Sequence, residues 1–210
     1  MGTKERRERE RFDTREKILE AARELFIQEG YDGVSMRKVA EKIEYSPTAI
    51  YVHFTNKEEL FREVCYQDFA RLAQVFQTSP LPEDPRERLK NLGRTYVEFG
   101  RQYPNHYKLM FMTPHPEWEP DERDHQMHGN PEVDAYALLK LTVQQALDAG
   151  VFREGIDNVA LISQTLWAGV HGVISLRIAK ENDCWVDCQP LASAVDLMLD
   201  ALMRGLTKEG

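Results

Sequence analysis

The chain has 210 residues, 42% of them hydrophobic, which is enough to bury one or two apolar cores. Its 12 glycines and 10 prolines exclude a fibrous or disordered chain, and its three scattered cysteines exclude a disulfide framework. The net charge of −8 argues against a nucleic-acid ligand, but residues 1–60 carry only −1 of it and residues 61–210 carry −7, so the first part can still present a basic surface to phosphates.

The apolar and charged runs indicate where the protein is found. No apolar run reaches the roughly 18 residues that a membrane helix requires. The longest mainly apolar stretch, 159–179, is interrupted by Ser163, Gln164, His171 and Arg177. Because the N-terminal segment is also too charged for a secretory signal, we expect a cytoplasmic protein that does not contact a membrane.

Helical periodicity dominates the chain, and no sustained strand pattern is found. The first predicted helix, 13–29, begins at Asp13 or Thr14 and is followed by Gly30, a typical helix stop. The charged arm before it, 1–12, has two interpretations: its basic residues contact the DNA backbone or minor groove, or its interleaved glutamates leave it solvated and frayed. The basic residues of the arm are Lys4, Arg6, Arg7, Arg9 and Arg11.

Two short helices follow. Ser35 is a good N-cap for a helix of residues 35–43, and Ser46 followed by Pro47 is a strong start signal for a helix that runs to about His53. Two short helices joined by a tight turn, after a longer helix, form the unit that places one helix in the major groove of DNA. The sequence therefore predicts a helix-turn-helix.

Thr55 is predicted to cap a fourth helix, 56–78, which a proline-rich run ends. Between residues 113 and 131 the chain is polar and proline-rich, which predicts a long loop. The predicted domains are 1–56, which binds DNA, and 57–210, with the fourth helix linking them. The remaining predicted helices are 86–102, 104–112, 131–149, 156–181 and 189–207.

The run 35–60, together with the helix before it, resembles the DNA-binding signature of the tetracycline-repressor (TetR) family, over about residues 10–62. This resemblance implies an all-α homodimer whose larger C-terminal domain binds an effector. Carried over position by position, it implies DNA contacts at Ser35, Arg37, Ser46, Pro47, Thr48, Ala49, Tyr51, His53 and Lys57.

Within that set, the start of the recognition helix, Pro47 to Ala49, would face the bases, and the rest would mainly contact phosphates. Arg37 is the best candidate for reading a guanine. The family commonly has glycine in the turn, where this chain has Glu44. If Glu44 is left-handed, the cost is about 1 kcal/mol, unless the turn differs slightly.

The segment 166–176 resembles the Trp-His-Gly signature of one C-terminal subfamily of these repressors. Its Gly169 and Gly172 predict the close approach of another helix or of a ligand. In the family the last two helices pair with their twofold mates, which here implies a homodimer through 156–181 and 189–207 and a palindromic operator. An apolar stripe on the last helix would form this interface or pack only within its own chain; it comprises Leu191, Val195, Met198, Leu199 and Leu202.

Aromatic and sulfur-containing side chains concentrate in the C-terminal part. They predict a largely apolar effector pocket, with ordinary core as the alternative. No basic cluster lies among them, so the expected effector is apolar or aromatic rather than strongly acidic. The candidate effector-binding residues are Tyr96, Phe99, Tyr103, Tyr107, Met110, Phe111, Trp118, Trp167 and His171.

Metal binding and catalysis are weakly supported. A soft-metal set is conceivable from His115, His125, His128, Cys184 and Cys188, but surface histidines in a mobile loop are favoured, so no metal and no cofactor are expected. No nucleophile–base pair indicates an enzyme. The sequence thus predicts a DNA-binding regulator, a repressor released by a small effector, over two alternatives: an adaptor that does not bind DNA and a small helical enzyme.

Overall fold

The structure, a computed structural model, describes residues 3–208. The first two residues of the first predicted domain and the last two residues of the second lie outside it. The described residues form ten α-helices and no strand apart from one isolated bridge between Phe152 and Thr207, which confirms the all-α class. The helices are α1 (Thr3–Gly33), α2 (Met36–Lys42), α3 (Pro47–Tyr51), α4 (Lys57–Gln77), α5 (Pro85–Gln102), α6 (Pro104–Phe111), α7 (Glu122–Met127), α8 (Ala135–Asp148), α9 (Val159–Lys180) and α10 (Leu191–Leu206).

The chain divides into two compact units. Unit 1 contains the residues up to Asp68 together with Asn105–Trp118, and unit 2 contains Phe69–Pro104 and the residues from Glu119 onward. The helix-turn-helix therefore shares its unit with the first half of α4 and with α6, which come from the predicted C-terminal domain. Sequence order alone does not predict this assignment, because α6 joins unit 1 through tertiary contacts.

Helix α1 differs most from its prediction. It begins at Thr3, ten residues before the predicted cap, because the alternating Arg and Glu residues of the arm are good helix formers that pair at helical spacing, as Arg6 and Glu10 do at 3.2 Å. The predicted stop is correct: Gly30 has φ 70°, which breaks the helix before a last short turn.

Two further predictions were wrong in detail. The cap of α4 is Asn56, whose Oδ1 accepts the Glu59 N–H at 2.8 Å, whereas the Thr55 N–H donates to the Glu59 side chain. The predicted loop 113–131 contains α7, which Asp121 starts through a reciprocal capping box. Both errors concern polar residues that can cap from neighbouring positions.

Unit 1 is built around the apolar face of α1. Ile18 and Phe26 are fully buried there, and Phe61 of α4 meets the Phe26 ring edge-on at 4.8 Å between ring centroids. Ile50 of α3 and Tyr107 of α6 are also fully buried. The recognition helix is therefore fixed to a core that three other helices share.

Unit 2 is a helical bundle in which α9 packs against α5, α8 and α10. Gly169 allows α10 to come close, because an added Cβ would lie 2.7 Å from Leu202 and from Met198. Nothing lies within 4 Å of the corresponding position at Gly172 among the described residues. The close approach predicted for both glycines is thus found within this chain at Gly169 alone.

The structure bears on two expectations for the last helices. By length and composition α9 is apolar enough to cross a membrane, contrary to the prediction from its polar interruptions, although in the structure it packs as one helix of the bundle. On α10, Val195 and Leu199 of the predicted apolar stripe are buried inside the chain. The exposed face of α10 contains Leu197 instead, which is 73% exposed.

Candidate nucleic-acid interface

The two short helices are held by local hydrogen bonds. The Ser35 hydroxyl accepts the Lys38 N–H at 3.2 Å, and the Ser46 hydroxyl accepts the Ala49 N–H at 3.3 Å. Between the helices Glu44 adopts φ 60°, the left-handed conformation considered for this position. Both predicted N-caps are confirmed, and the turn keeps the backbone that glycine would adopt most easily.

Helix α3 presents one face outward and anchors the other. Ile50 is fully buried and Phe54, just after the helix, is 1% exposed. Tyr51 is 54% exposed, and Pro47 and Thr48 are also exposed. The helix of five residues would not persist alone in water, so its outward face depends on this anchor.

Val52 is a surface residue that the sequence prediction missed. Its side chain is 63% exposed next to Tyr51. An exposed valine beside an exposed tyrosine gives this end of α3 an apolar surface, which suits contact with a thymine methyl group. The signal that could have revealed it is its position next to Tyr51, in the helix that was predicted to run to about His53.

Two cations predicted to contact DNA have partners inside the chain. The Arg37 Nε donates to Glu41 at 2.8 Å on the exposed side of α2. The Lys57 Nζ donates to the Tyr31 carbonyl at 2.9 Å and lies 4.1 Å from the centroid of the Tyr31 ring. Lys57 therefore ties α4 to the end of α1, and a phosphate would have to share its ammonium.

His53 lies in a cationic environment at the end of α3. Its pKa is lowered by partial burial first and then by the positive charges of Arg11 and Arg15. Arg15 itself lies over the Phe54 ring, 5.0 Å from its centroid, and pairs with Glu63 at 3.1 Å. Sequence spacing could not place α1 arginines beside residue 53.

A buried charged cluster joins three helices of unit 1. Asp68 of α4 is fully buried and accepts hydrogen bonds from Arg23 of α1, with Nη2 at 2.8 Å and Nε at 3.1 Å. The His106 Nδ1 of α6 lies 2.7 Å from the same carboxylate, and Glu20 pairs with Arg23 at the exposed edge. We call Arg23, Asp68 and His106 the buried cluster.

The nine predicted effector-binding residues divide between the units. In unit 2 the Trp167 Nε1 donates to the Tyr96 hydroxyl at 3.0 Å, and His171 Nδ1 lies 3.3 Å from the same oxygen. Burial lowers the pKa of His171, which favours the neutral form of its ring. Unit 2 also holds Phe99 and Tyr103, in ring contact at 5.4 Å.

The remaining predicted effector-binding residues belong to unit 1. Tyr107 is fully buried there and Met110 is 5% exposed, and the rings of Tyr107 and Phe111 are in contact at 5.0 Å. Trp118 packs on Phe61 with centroids 5.8 Å apart. These four side chains support the core around α4 and α6, so a pocket lined by all nine stays a prediction.

The chemistry of the described chain gives no metal centre. Across residues 3–208 no group of three His, Cys, Asp or Glu side chains is arranged to hold a metal ion. Unit 2 has an open cleft of about 520 Å³ whose lining includes Lys90, Arg204 and Asp200. This cleft is polar and differs from the apolar pocket predicted from the aromatic residues.

A capped pair of short helices that exposes the second one, in an all-α chain, defines a helix-turn-helix protein. Residues 18–64 match the bacterial regulatory proteins of the tetR family, and residues 89–202 match the tetracyclin repressor-like C-terminal domain. The chain belongs to the TetR family. The finer resemblance to the Trp-His-Gly subfamily is not confirmed by these matches.

Curated relatives are similar in the N-terminal region. The transcriptional repressor AcnR of Corynebacterium diphtheriae is 40% identical over 75 residues, which cover 36% of this chain and 40% of the relative. The transcriptional regulator UidR of Escherichia coli K12 is 38% identical over 64 residues, 30% of this chain and 33% of the relative. The chain thus matches less than half the length of these relatives.

Solved structures show the same fold over nearly the whole chain. A TetR family transcription regulator from Marinobacter aquaeolei VT8 has a TM-score of 0.72 at 19% identity and covers 96% of this chain and 100% of its own. The TetR family regulator PfmR from Thermus thermophilus has a TM-score of 0.69 at 21% identity, covering 91% and 96%. At this identity they establish the fold.

Proposed function

We propose that the protein is a sequence-specific, DNA-binding transcriptional regulator of the cytoplasm, most simply a repressor. The observation that carries the proposal is the outward face of α3, in which Thr48 and Tyr51 are exposed while Ile50 and Phe54 anchor the helix. A rigid, exposed helix start with small and aromatic side chains is what reading base edges requires.

The contacts divide into positioning and reading. Pro47, Thr48 and Ala49 at the start of α3 face the bases. Ser35, Ser46, Tyr51 and His53, with Lys57 where its internal partners allow, contact the phosphate backbone and fix the register. Arg37 is the candidate for reading a guanine, where its pair with Glu41 allows. Phosphate contacts hold the helix in place but carry no sequence information. The cationic environment of His53 supports its place among the phosphate contacts.

The protein acts as a homodimer through α9 and α10. On α9, Leu161, Gly172 and Leu176 share one face, and the two leucines are 61% and 57% exposed. Leu197 lies on the exposed face of α10. A glycine between exposed apolar side chains leaves room for a second helix to approach. When that helix packs there, the apolar side chains are removed from water, which stabilises the dimer.

A small apolar or aromatic effector controls the DNA-binding state. The chain passes between its two units after Asp68, after Pro104 and after Trp118, so α4 is one of three connections through which a ligand could act. The ligand shifts the population between two spacings of the recognition helices, and only to the extent that it binds one of them more tightly. The lowered pKa of His171 favours its neutral form, which suits an uncharged ligand.

Selection from random duplex DNA tests the function. Purified full-length protein is titrated against a random-sequence duplex library at fixed salt, and the bound molecules are sequenced. The proposal predicts a palindrome whose half-sites lie about 34 Å apart. Weak binding without sequence preference would contradict it and favour an adaptor, and turnover of a bound small molecule would favour an enzyme.

A further inference from the structure

The first turns of α1 lie outside the core of unit 1. Every residue from Lys4 to Asp13 is exposed, including Phe12 at 63%, and the first fully buried residue is Ile18. At a rise of 1.5 Å per residue this exposed part is about 15 Å long. A helix that buries no apolar face within its own chain gains little from packing, so its exposed surface is available to a ligand.

The basic residues of this extension are sorted by face. Lys4, Arg7, Arg11 and Arg15 follow one another at intervals of three, four and four residues, which places them on one side of the helix. We call Lys4, Arg7 and Arg11 the basic stripe. Glu8 lies at its border, and the other acidic residues of the extension lie elsewhere around the helix.

The stripe continues the core-facing side of α1 beyond the core of unit 1, on the side of the recognition helix. It is in line with Ile18, seven residues beyond Arg11, which faces the core of unit 1. The next member of its line, Arg15, lies over the ring of Phe54, the residue that follows His53. The stripe therefore leaves unit 1 at the end of α3, and the cationic environment of His53 agrees with this placement.

The charges of the stripe are available. No hydrogen bond or ion pair to another described residue is found for Lys4, Arg7 or Arg11, whereas Arg6 on another face pairs with Glu10 at 3.2 Å. Three unpaired cations on one face of α1, on the side of the helix that lies toward the end of α3, complement the regularly spaced phosphates of a duplex.

We propose that the basic stripe is a second DNA contact, which binds the sugar-phosphate backbone flanking the half-site that α3 reads. The inference rests on the proposed function, because it needs α3 to dock on the duplex. Of the two interpretations of the charged N-terminal arm, it selects the contact with DNA over the frayed, solvated arm. The contact adds affinity equally on all sequences and adds no specificity of its own.

Two double variants with the same change in charge test the proposal. Arg7→Ala/Arg11→Ala removes two cations from the stripe, and Arg6→Ala/Arg9→Ala removes two from other faces. Dissociation constants are measured for the selected operator and for a scrambled duplex at several salt concentrations. Circular dichroism and urea unfolding check that both variants keep the fold and helix content of the wild type.

The stripe variant is expected to bind operator and scrambled duplex at least about 10- to 100-fold more weakly. Its slope of log K against log[salt] falls by about 4 for the dimer, since each protomer loses two phosphate contacts that contribute about 0.9 each. The matched variant keeps the wild-type slope. Equal losses in the two variants, or no loss in either, would overturn the proposal while the wild type still selects its palindrome. Failure of the wild type to select any sequence would instead overturn the proposed function.

Discussion

The helix-turn-helix and the α9–α10 pair are both pairs of consecutive helices, yet they are specified in different ways. In the first, each helix starts at a serine whose hydroxyl accepts an N–H three residues later, so the information is local. In the second, Gly169 meets Met198 and Leu202, about thirty residues away in sequence. A functional surface set by local caps can be read from sequence, whereas one set by distant packing cannot be.

The two glycines of α9 show the same contrast within one helix. Gly169 and Gly172 are equivalent in sequence, but one is filled by α10 and the other is open. The apolar periodicity of α10 predicts that one face is packed, but it does not predict which helix packs against that face. Leu197, on the other side of α10, is the exposed apolar side chain that a partner protomer can cover.

The largest expected effect would show that the helix-turn-helix unit also depends on distant contacts. Asp68→Ala leaves the buried guanidinium of Arg23 without its carboxylate, and we expect a loss of about 3–5 kcal/mol in the free energy of unfolding. Urea denaturation measures it. Glu20→Gln, which removes the exposed partner of Arg23, is the control and should cost less than about 1 kcal/mol. Similar losses in both variants would show that the buried cluster contributes no more to the free energy of unfolding than an exposed ion pair.

The second prediction concerns the exposed face of α10. Leu197→Glu places a charge in the proposed interface, so we expect monomers in sedimentation analysis and operator affinity lowered at least about 100-fold, since a monomer holds one half-site. Leu81→Glu alters another exposed leucine, 66% exposed, and should change neither. A dimeric Leu197→Glu protein would place the interface elsewhere.

The third prediction separates the two glycines, in the Leu197→Glu background so that dimerisation does not contribute. Gly169→Ala adds a methyl group where Leu202 and Met198 already lie, and should lower the free energy of unfolding by about 1–2 kcal/mol. Gly172→Ala meets open space and should raise it by up to about 1 kcal/mol through helix propensity. Urea denaturation of the two variants measures both changes. Equal changes in the free energy of unfolding would contradict the difference in packing between Gly169 and Gly172.

The smallest effect is a pH dependence at His53. Burial, Arg11 and Arg15 lower its pKa in the free protein, and nearby phosphates would raise the pKa in the complex. Each His53 of the dimer then takes up a proton on binding between the two pKa values, so operator affinity rises as the pH falls through this window, by at most about tenfold per pH unit for each of the two residues. Titrations between about pH 5 and 8 measure it. His53→Gln should flatten the profile, His125→Gln should not, and an unchanged His53→Gln profile would exclude His53 as its source.

Sequence reasoning reached the all-α fold and the helix starts at Ser35 and Ser46 because these depend on periodicity and on contacts a few residues apart. It missed the cluster of Arg23, Asp68 and His106, since nothing in the sequence pairs a helix near residue 20 with one near residue 106. The start of α1 was misplaced because alternating Arg and Glu residues were taken as an arm, although the same pairs stabilise a helix.

The most direct test of the central claim, a symmetric dimer that reads DNA with α3, is titration of the selected operator against the same duplex with one half-site scrambled. The account predicts two protomers per intact duplex and an affinity about 100-fold or more lower for the scrambled one, because one recognition helix then lacks its base contacts. One protomer per duplex, with equal affinity for both, would contradict it.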